Sequence, residues 1–439
     1  MKKLLEDILA VPSESRTLEF KRIGIKKEGL DRTLQSIVAM ANTDGGLWPP
    51  RYVDVPEKGR KIALLFVPKA TDGLRSYENH VFIRLEKGNR RLSPQEIIHF
   101  SYIKGFNRAD AELVDVAFSL LKTHYYETWR RERGISDNDI AVVLYKTGLA
   151  REDNQGELRP TRAAVLLFAE YPNDLMETKC TIRIFQYSGN LETVKETINL
   201  IGVPKTIGGC VMRQIKDAHD YVLMLLRAGM RVPSGFVTSY RIPERAVKEA
   251  ITNAVIHRDY HTKRDIEIKI YEDRLEVESP GLLPFNITPS NIGYERAYGY
   301  RNDLLVKHLR EFPDPPNLDQ NEGVRAMRQV MRADYLFPPI FITYPFLQDS
   351  VKVILLNEKA PSEWDKTSDY LNKNKYINNK EARAIMGIHD TSKVSRFLGK
   401  WVKQGLLVKI VPTSGAKKNV CYRLPITVEK DLFATDVNK

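Results

Sequence analysis

Residues 249–260 read Glu-Ala-Ile-Thr-Asn-Ala-Val-Ile-His-Arg-Asp-Tyr. Glu249, Asn253 and His257 recur every four residues, which on a helix sets a carboxylate, a carboxamide and an imidazole along one stripe. Ala246, Val247, Ala250, Ile251, Ala254 and Val255 occupy the intervening positions and give an apolar face able to seat such a helix on a sheet. The carboxylate can orient a water, and the amide oxygen is a hard ligand suited to Mg²⁺. The plainer alternative is a solvated, hydrogen-bonded stripe.

The residues C-terminal to this stretch bear on that choice. Residues 265–271 (Asp-Ile-Glu-Ile-Lys-Ile-Tyr) alternate strictly, as a half-buried strand does. Glu272-Asp273 makes a tight turn into a second alternating run, Arg274 to Glu278. Ser279-Pro280-Gly281-Leu282-Leu283-Pro284 is then a turn able to bring backbone close to a ligand. Arg301-Asn302 and Glu322-Gly323 come after it.

This order of motifs, over about residues 240–345, resembles the GHKL ATPase fold, more narrowly its branch in bacterial RecG-related and transcriptional-regulator proteins. The resemblance implies a Bergerat-type α/β sandwich that binds ATP and Mg²⁺. In it Glu249 is the water-activating base and Asn253 the Mg²⁺ ligand. His257, Arg258 and Asp259 lie near the phosphates, Ser279 to Gly281 near adenine, Arg301 and Asn302 at the nucleotide, and Gly323 in the lid. The chain departs from the pattern twice. Ser279, or Glu278, stands where the fold has an Asp for the adenine amino group, and Asn321 stands where the lid has its first glycine. Nucleotide binding is therefore expected ahead of fast turnover, leaving the enzymatic reading between binding alone and weak ATPase activity.

The net charge of +12 is unevenly placed. Between Tyr376 and Arg423 there are ten Lys and Arg against two Asp and Glu, the electrostatic footprint of a polyanion partner. Residues 379–386 read as a short helix ended by Gly387. Asp390 caps a second helix, Thr391 to Lys403, with Val394, Phe397, Leu398, Trp401 and Val402 on one face and Lys393, Arg396 and Lys400 on the other. Two β-rich runs, 406–411 and 420–424, flank a loop carrying Lys417 and Lys418. This spacing resembles winged helix-turn-helix domains, which implies DNA or RNA binding through Lys393, Arg396, Lys400, Lys417 and Lys418.

At the other end, Glu14 and Glu19 precede Phe20-Lys21, and a predicted helix from Gly29 to Ala41 runs into Asn42-Thr43-Asp44-Gly45-Gly46. Strands are predicted at 62–67 and 81–85. The pattern resembles the AlbA-type α/β domain shared with Schlafen proteins. That resemblance implies a nucleic-acid-binding module or, in nuclease-active relatives, a carboxylate trio that binds metal for RNA cleavage. Glu14 and Glu19 match its first two positions. After Gly46 comes Leu-Trp-Pro-Pro-Arg instead of an apolar strand and acidic loop, and Asp54 is the nearest third acid.

The expected architecture is an α+β multidomain chain. It has an AlbA-type domain at 1–105, a connector at 106–239, the GHKL domain at 240–360, a winged helix at 361–425 and a tail at 426–439. In the connector, a long helix is expected over 111–132, a helix start leading into an apolar strand over 158–168, a strand over 180–187 and a helix over 211–228. Tyr125, Tyr126 and Trp129 are expected to be core. Cys180, Cys210 and Cys421 are too scattered to form a metal-spaced pair. No stretch is apolar enough to span a bilayer, and the first residues place acids where a secretory leader has its apolar core. A cytoplasmic location and no membrane partner are therefore expected. Three functions compete: an ATP-responsive nucleic-acid-binding homo-oligomer in transcription regulation or antiviral defence, a metal-dependent RNase with a regulatory ATPase half, and a nucleotide-binding assembly scaffold. A helicase is disfavoured because the chain has no Gly-x-x-x-x-Gly-Lys-[Ser/Thr] phosphate loop.

Overall fold

A computed structural model describes residues 27–42, most of 51–103, and 106–425 apart from 177, 193–198, 232–236, 285–286, 290, 296, 298–300, 317–322, 344–345, 375 and 411–419. The chain is mixed α and β and divides into two compact units. One is Asn107–Asp369, and the other joins Met1–Phe106 with Tyr370–Lys439.

The N-terminal elements are α1 (Lys27–Asn42), β1 (Arg51–Val55), β2 (Arg60–Leu64), β3 (Phe82–Leu85), β4 (Gly88–Arg91) and α2 (Pro94–Ile103). Strands β1 with β2, and β3 with β4, form antiparallel pairs. Asn42, the last residue of α1, is 2% exposed. Its amide donates to the carbonyls of Arg75 (2.8 Å) and Phe82 (2.9 Å) and accepts from Arg75 N. A side chain thus satisfies backbone groups that the helix end and loop leave over. Glu14 and Glu19 lie outside the described residues.

In the larger unit, α3 (His124–Glu132) and α4 (Arg162–Phe168) lead into β5 (Ile182–Gln186), β6 (Lys205–Ile207) and α5 (Val211–Ala228). Then come α6 (Glu244–His257), β7 (Ile266–Ile270), β8 (Arg274–Pro280), α7 (Asp303–Leu309), α8 (Gly323–Ala333), β9 (Ile340–Ile342) and β10 (Ser350–Leu356). One six-stranded sheet carries the order β9-β10-β8-β7-β5-β6. Within it β5 and β7 pair in parallel, with Ile266 opposite Ile182. Burial alternates along β7, as a sheet with one covered face requires. The apolar positions of α6 from Ala246 to Val255 are all at most 7% exposed, so this helix lies against the core.

Three expectations are corrected by this topology. The 106–239 segment is no separate connector, because it supplies β5 and β6 to the same sheet as β7 and β8. Nor is 111–132 one helix. Val114 N donates to Pro160 O and Leu113 bridges Thr161, so those residues are drawn into extended pairing and only 124–132 stays helical. The apolar run at 163–168 is a helix with every side chain at 0% exposure, not a strand. Periodicity cannot separate the two when both faces are buried. Tyr126 and Trp129 are core, at 1% and 0% exposure.

The C-terminal elements are α9 (Ser362–Lys373), β11 (Ile377–Asn378), α10 (Asn379–Met386), α11 (Thr391–Lys403), β12 (Val408–Ile410) and β13 (Cys421–Arg423). The sheet order is β11-β13-β12. Asn378 and Glu381 form a reciprocal capping box on α10, and Gly387 ends it in a left-handed conformation at φ 71°. Asp390 caps α11 by accepting from Ser392 N and Lys393 N. Among the described residues no helix is long and apolar enough to cross a membrane.

Candidate functional site

Helix α6 starts at Glu244, after Pro243, and ends where Asn302 intervenes. The Asn302 amide, 0% exposed, donates to Ile256 O (2.8 Å) and Arg258 O (2.7 Å), so it holds the carbonyls that a helix terminus leaves unpaired. This fixes the last turns of α6. Glu249, Thr252, Asn253 and His257 from that helix line a cavity of about 140 Å³, room for several waters or part of a small ligand. Its floor is the covered face of the sheet, through Val277, Phe341, Val351 and Val353. Leu282, Leu283, Ile287 and Ile292 form a second apolar wall. One end is therefore polar and helical, and the other apolar.

The polar end is built around a glycine. Gly323 opens α8, and a Cβ placed there would stand 2.5 Å from Glu249 Oε2 and 3.3 Å from Asn253 Nδ2. Only a residue without a side chain lets the first turn of α8 close on the acid–amide pair. The same turn aims unpaired N–H groups and the positive end of a helix dipole at that place. Burial raises the Glu249 carboxyl above its ordinary range, while Arg245 and Lys248 pull it back. Asn253 Nδ2 has no hydrogen-bond partner among the described residues. Burial, then the positive charge of Arg301, pushes His257 down to about 4, so this imidazole is neutral near pH 7 and offers hydrogen bonds without charge.

At the apolar end, Gly281 has φ 109°. A Cβ there would meet Asp259 N and Cβ at 3.2 Å, so the turn runs close beneath the end of α6. The Ser279 hydroxyl donates to Ala254 O at 2.7 Å, and Ser279 and Gly281 both line the cavity.

The structure brings together Glu249, Asn253, His257, Ser279, Gly281 and Gly323. Four expected contacts lie elsewhere. Arg258, 0% exposed, donates to the carbonyls of Lys179, Thr181, Thr262 and Arg264 and lies over the Tyr260 ring. It is a strut between the segments that lead into β5 and β7, not a phosphate group. Asn302 is the clasp on the end of α6. Asp259 accepts from His261 N and the Thr262 hydroxyl, with Arg301 at 4.0 Å. Arg301 donates to Leu282 O at 3.0 Å, bracing the turn from behind. Glu278 cannot stand in for the adenine acid, because alternation along β8 puts it on the opposite sheet face. There it meets Ser350, Arg264 and Lys352.

Thr252 is a lining residue that reading the sequence passed over. It is 2% exposed and its hydroxyl has no partner among the described residues. Its position three residues after Glu249 was the available signal. In the C-terminal module, Lys393, Arg396 and Lys400 are carried on α11, away from buried Val394, Leu398 and Trp401. Lys417 and Lys418 lie outside the described residues. Among the described residues no three His, Cys, Asp or Glu side chains gather where they could hold a metal ion.

Residues 263–355 match a family described as "Putative ATP-dependent DNA helicase recG C-terminal", which supports an ATPase-like domain here. The match starts beyond α6, so Glu249 and Asn253 precede it. Among solved structures, the chain is similar to the DIP2311 protein from Corynebacterium diphtheriae at 15% identity, over 97% of each chain, with a TM-score of 0.42. No curated protein matches.

Proposed function

We propose that the protein is a nucleotide-responsive nucleic-acid-binding protein. ATP with Mg²⁺ occupies the cavity between α6 and the sheet, and its binding biases oligomerisation or nucleic-acid engagement. The observation that carries this reading is the convergence of Glu249, Asn253 and the α8 N-terminus, fitted together by Gly323, at the polar end of an apolar-floored cavity. The ATPase-like match supports it.

The residues suit the group they are asked to hold. Asn253 would take Mg²⁺ through its amide oxygen, the other positions coming from phosphates and water, as this ion prefers. When bound, the ion supplies charge neutralisation at the phosphates. The N–H groups of the first α8 turn face phosphate oxygens without a side chain in between. Glu249 holds a water and takes its proton. Its raised pKa makes it a stronger base than a solvated glutamate.

A Glu249→Gln chain is expected to bind Mg²⁺-ATP within a few-fold of the parent. Its slow phosphate release should fall by about 100-fold or more. Because burial raises the Glu249 carboxyl, the basic form is lost as pH falls through a value above the ordinary ~4.3. Hydrolysis should therefore decline at higher pH than a solvated glutamate would give. Calorimetry and a phosphate-release assay from about pH 4 to about pH 8 check this, and unaltered release from the variant would move the base elsewhere.

The C-terminal module is read as a winged helix with α11 as the recognition helix. Three supports are the helix–turn–helix spacing, the three-stranded sheet, and the cations Lys393, Arg396 and Lys400 on one side of α11. If those side chains meet phosphates, replacing all three by alanine weakens duplex binding and flattens the plot of log affinity against log salt by up to ~2.7, about 0.9 per contact. Fluorescence anisotropy between about 50 and about 300 mM salt reads both. A slope equal to the parent's would assign the polyanion surface elsewhere. Nucleotide can shift these equilibria only through unequal affinity for two states, so sedimentation with and without Mg²⁺-ATP tests the linkage.

A further inference from the structure

The turn that closes the apolar end of the cavity has its polar groups committed. Ser279 Oγ donates to Ala254 O (2.7 Å), Pro280 O accepts from Asp259 N (2.7 Å), Gly281 N donates to Asp349 O (2.7 Å), and Leu282 O accepts from Arg301 (3.0 Å). Each bond ties the turn to a different neighbour: α6, the segment after α6, the chain before β10, and Arg301. None can be given to a ligand without releasing part of the frame that shapes the cavity. The nearest carboxylate on the strand, Glu278, is engaged on the other sheet face.

A buried hydroxyl remains. Thr252 Oγ1 lines the cavity with no partner among the described residues. A hydroxyl both donates and accepts, and its hydrogen rotates to suit. Adenine presents an amino donor where guanine presents a carbonyl acceptor, and Thr252 can meet either. The remaining wall is apolar, from Val277, Leu282, Leu283, Ile292, Phe341 and Val353, and such a wall recognises ring shape and area.

We propose that this cavity takes purine nucleoside triphosphates as a class, adenine and guanine alike, because no donor–acceptor pattern of fixed sense faces the base. The proposal rests on the nucleotide reading of the cavity and extends it to base choice. An apolar pocket separates near-isosteres by only ~10–200-fold, whereas a site built to hydrogen-bond its substrate rejects the mismatched analogue by ~10⁴–10⁵. The two designs are therefore distinguishable by one ratio.

The test is calorimetric titration of the full chain, in Mg²⁺, with the non-hydrolysable imido analogues of ATP and GTP. The expected result is a ratio of dissociation constants below about 100 in either direction. A ratio above about 100 overturns base tolerance while leaving the nucleotide site standing. Absence of binding by both analogues overturns the nucleotide reading itself, and this proposal with it. The isosteric Thr252→Val chain provides the second measurement. Losing an ambidextrous contact weakens both analogues by a similar factor, so the ratio stays within about tenfold of the parent's. A shift beyond that would overturn base tolerance by showing that the hydroxyl reads one base in particular.

Discussion

An Asn253→Ala chain is expected to bind Mg²⁺-ATP about 100-fold more weakly than the parent, or ~2.7 kcal/mol, while melting at the same temperature. Asn253 lies one turn beyond Glu249 on α6, its amide faces the cavity, and its Nδ2 bonds nothing among the described residues. Removing it breaks no described hydrogen bond and opens no core cavity, so the cost to folding is within the ~0.5 kcal/mol usual for such sites. The cost to binding is larger, because groups that merely orient a metal ligand are already worth ~10–100-fold. Calorimetry gives the affinity and a thermal melt gives the stability. Undiminished affinity would remove Asn253 from the metal, and a large fall in melting temperature would make it a structural residue.

Arg258→Ala is expected to do the reverse, destabilising the larger unit by about 3–5 kcal/mol. The guanidinium is buried and supplies donors to carbonyls from two segments, 179–181 and 262–264. These lead into the parallel pair β5 and β7, which are distant in sequence and joined by the ladder that starts at Ile182 and Ile266. Without the guanidinium those carbonyls stay buried and lack donors, at ~1–3 kcal/mol each where no water reaches them. For a unit of this size the melting temperature should drop by about 10 °C. Arg258→Lys should rescue little, because one ammonium cannot fork to the same set. A variant that melts like the parent would contradict the strut and reopen a ligand role for Arg258.

Asn253 and Arg258, five residues apart, also mark where the sequence was legible and where it was not. The bounds of α10 and α11 were legible because the caps are local: Asn378 with Glu381, Gly387, and Asp390. The hairpin β7–β8 was legible from its period of two. The polar stripe of α6 was legible as a stripe, and Glu249, Asn253 and His257 do share a cavity. Arg258 and Asn302 were misplaced for a common reason. A polar side chain that holds carbonyls at a helix end has the same letter as one that holds phosphate, and only the tertiary partner distinguishes them. The membership of β5 and β6 in the sheet was hidden too, since a parallel pairing between strands so distant in sequence leaves no mark at either of them. Thr252 went unnoticed because a threonine within a helix is ordinary until its hydroxyl is seen to lack a partner.

The central claim is that the cavity beside Glu249 and Asn253 takes a triphosphate together with a cation. Titration of the intact chain with ATP, once in Mg²⁺ and once in excess EDTA, tests this directly. The prediction is saturable, single-site binding in Mg²⁺ that weakens at least about tenfold in EDTA. No binding in either buffer, or equal affinity in both, would contradict it.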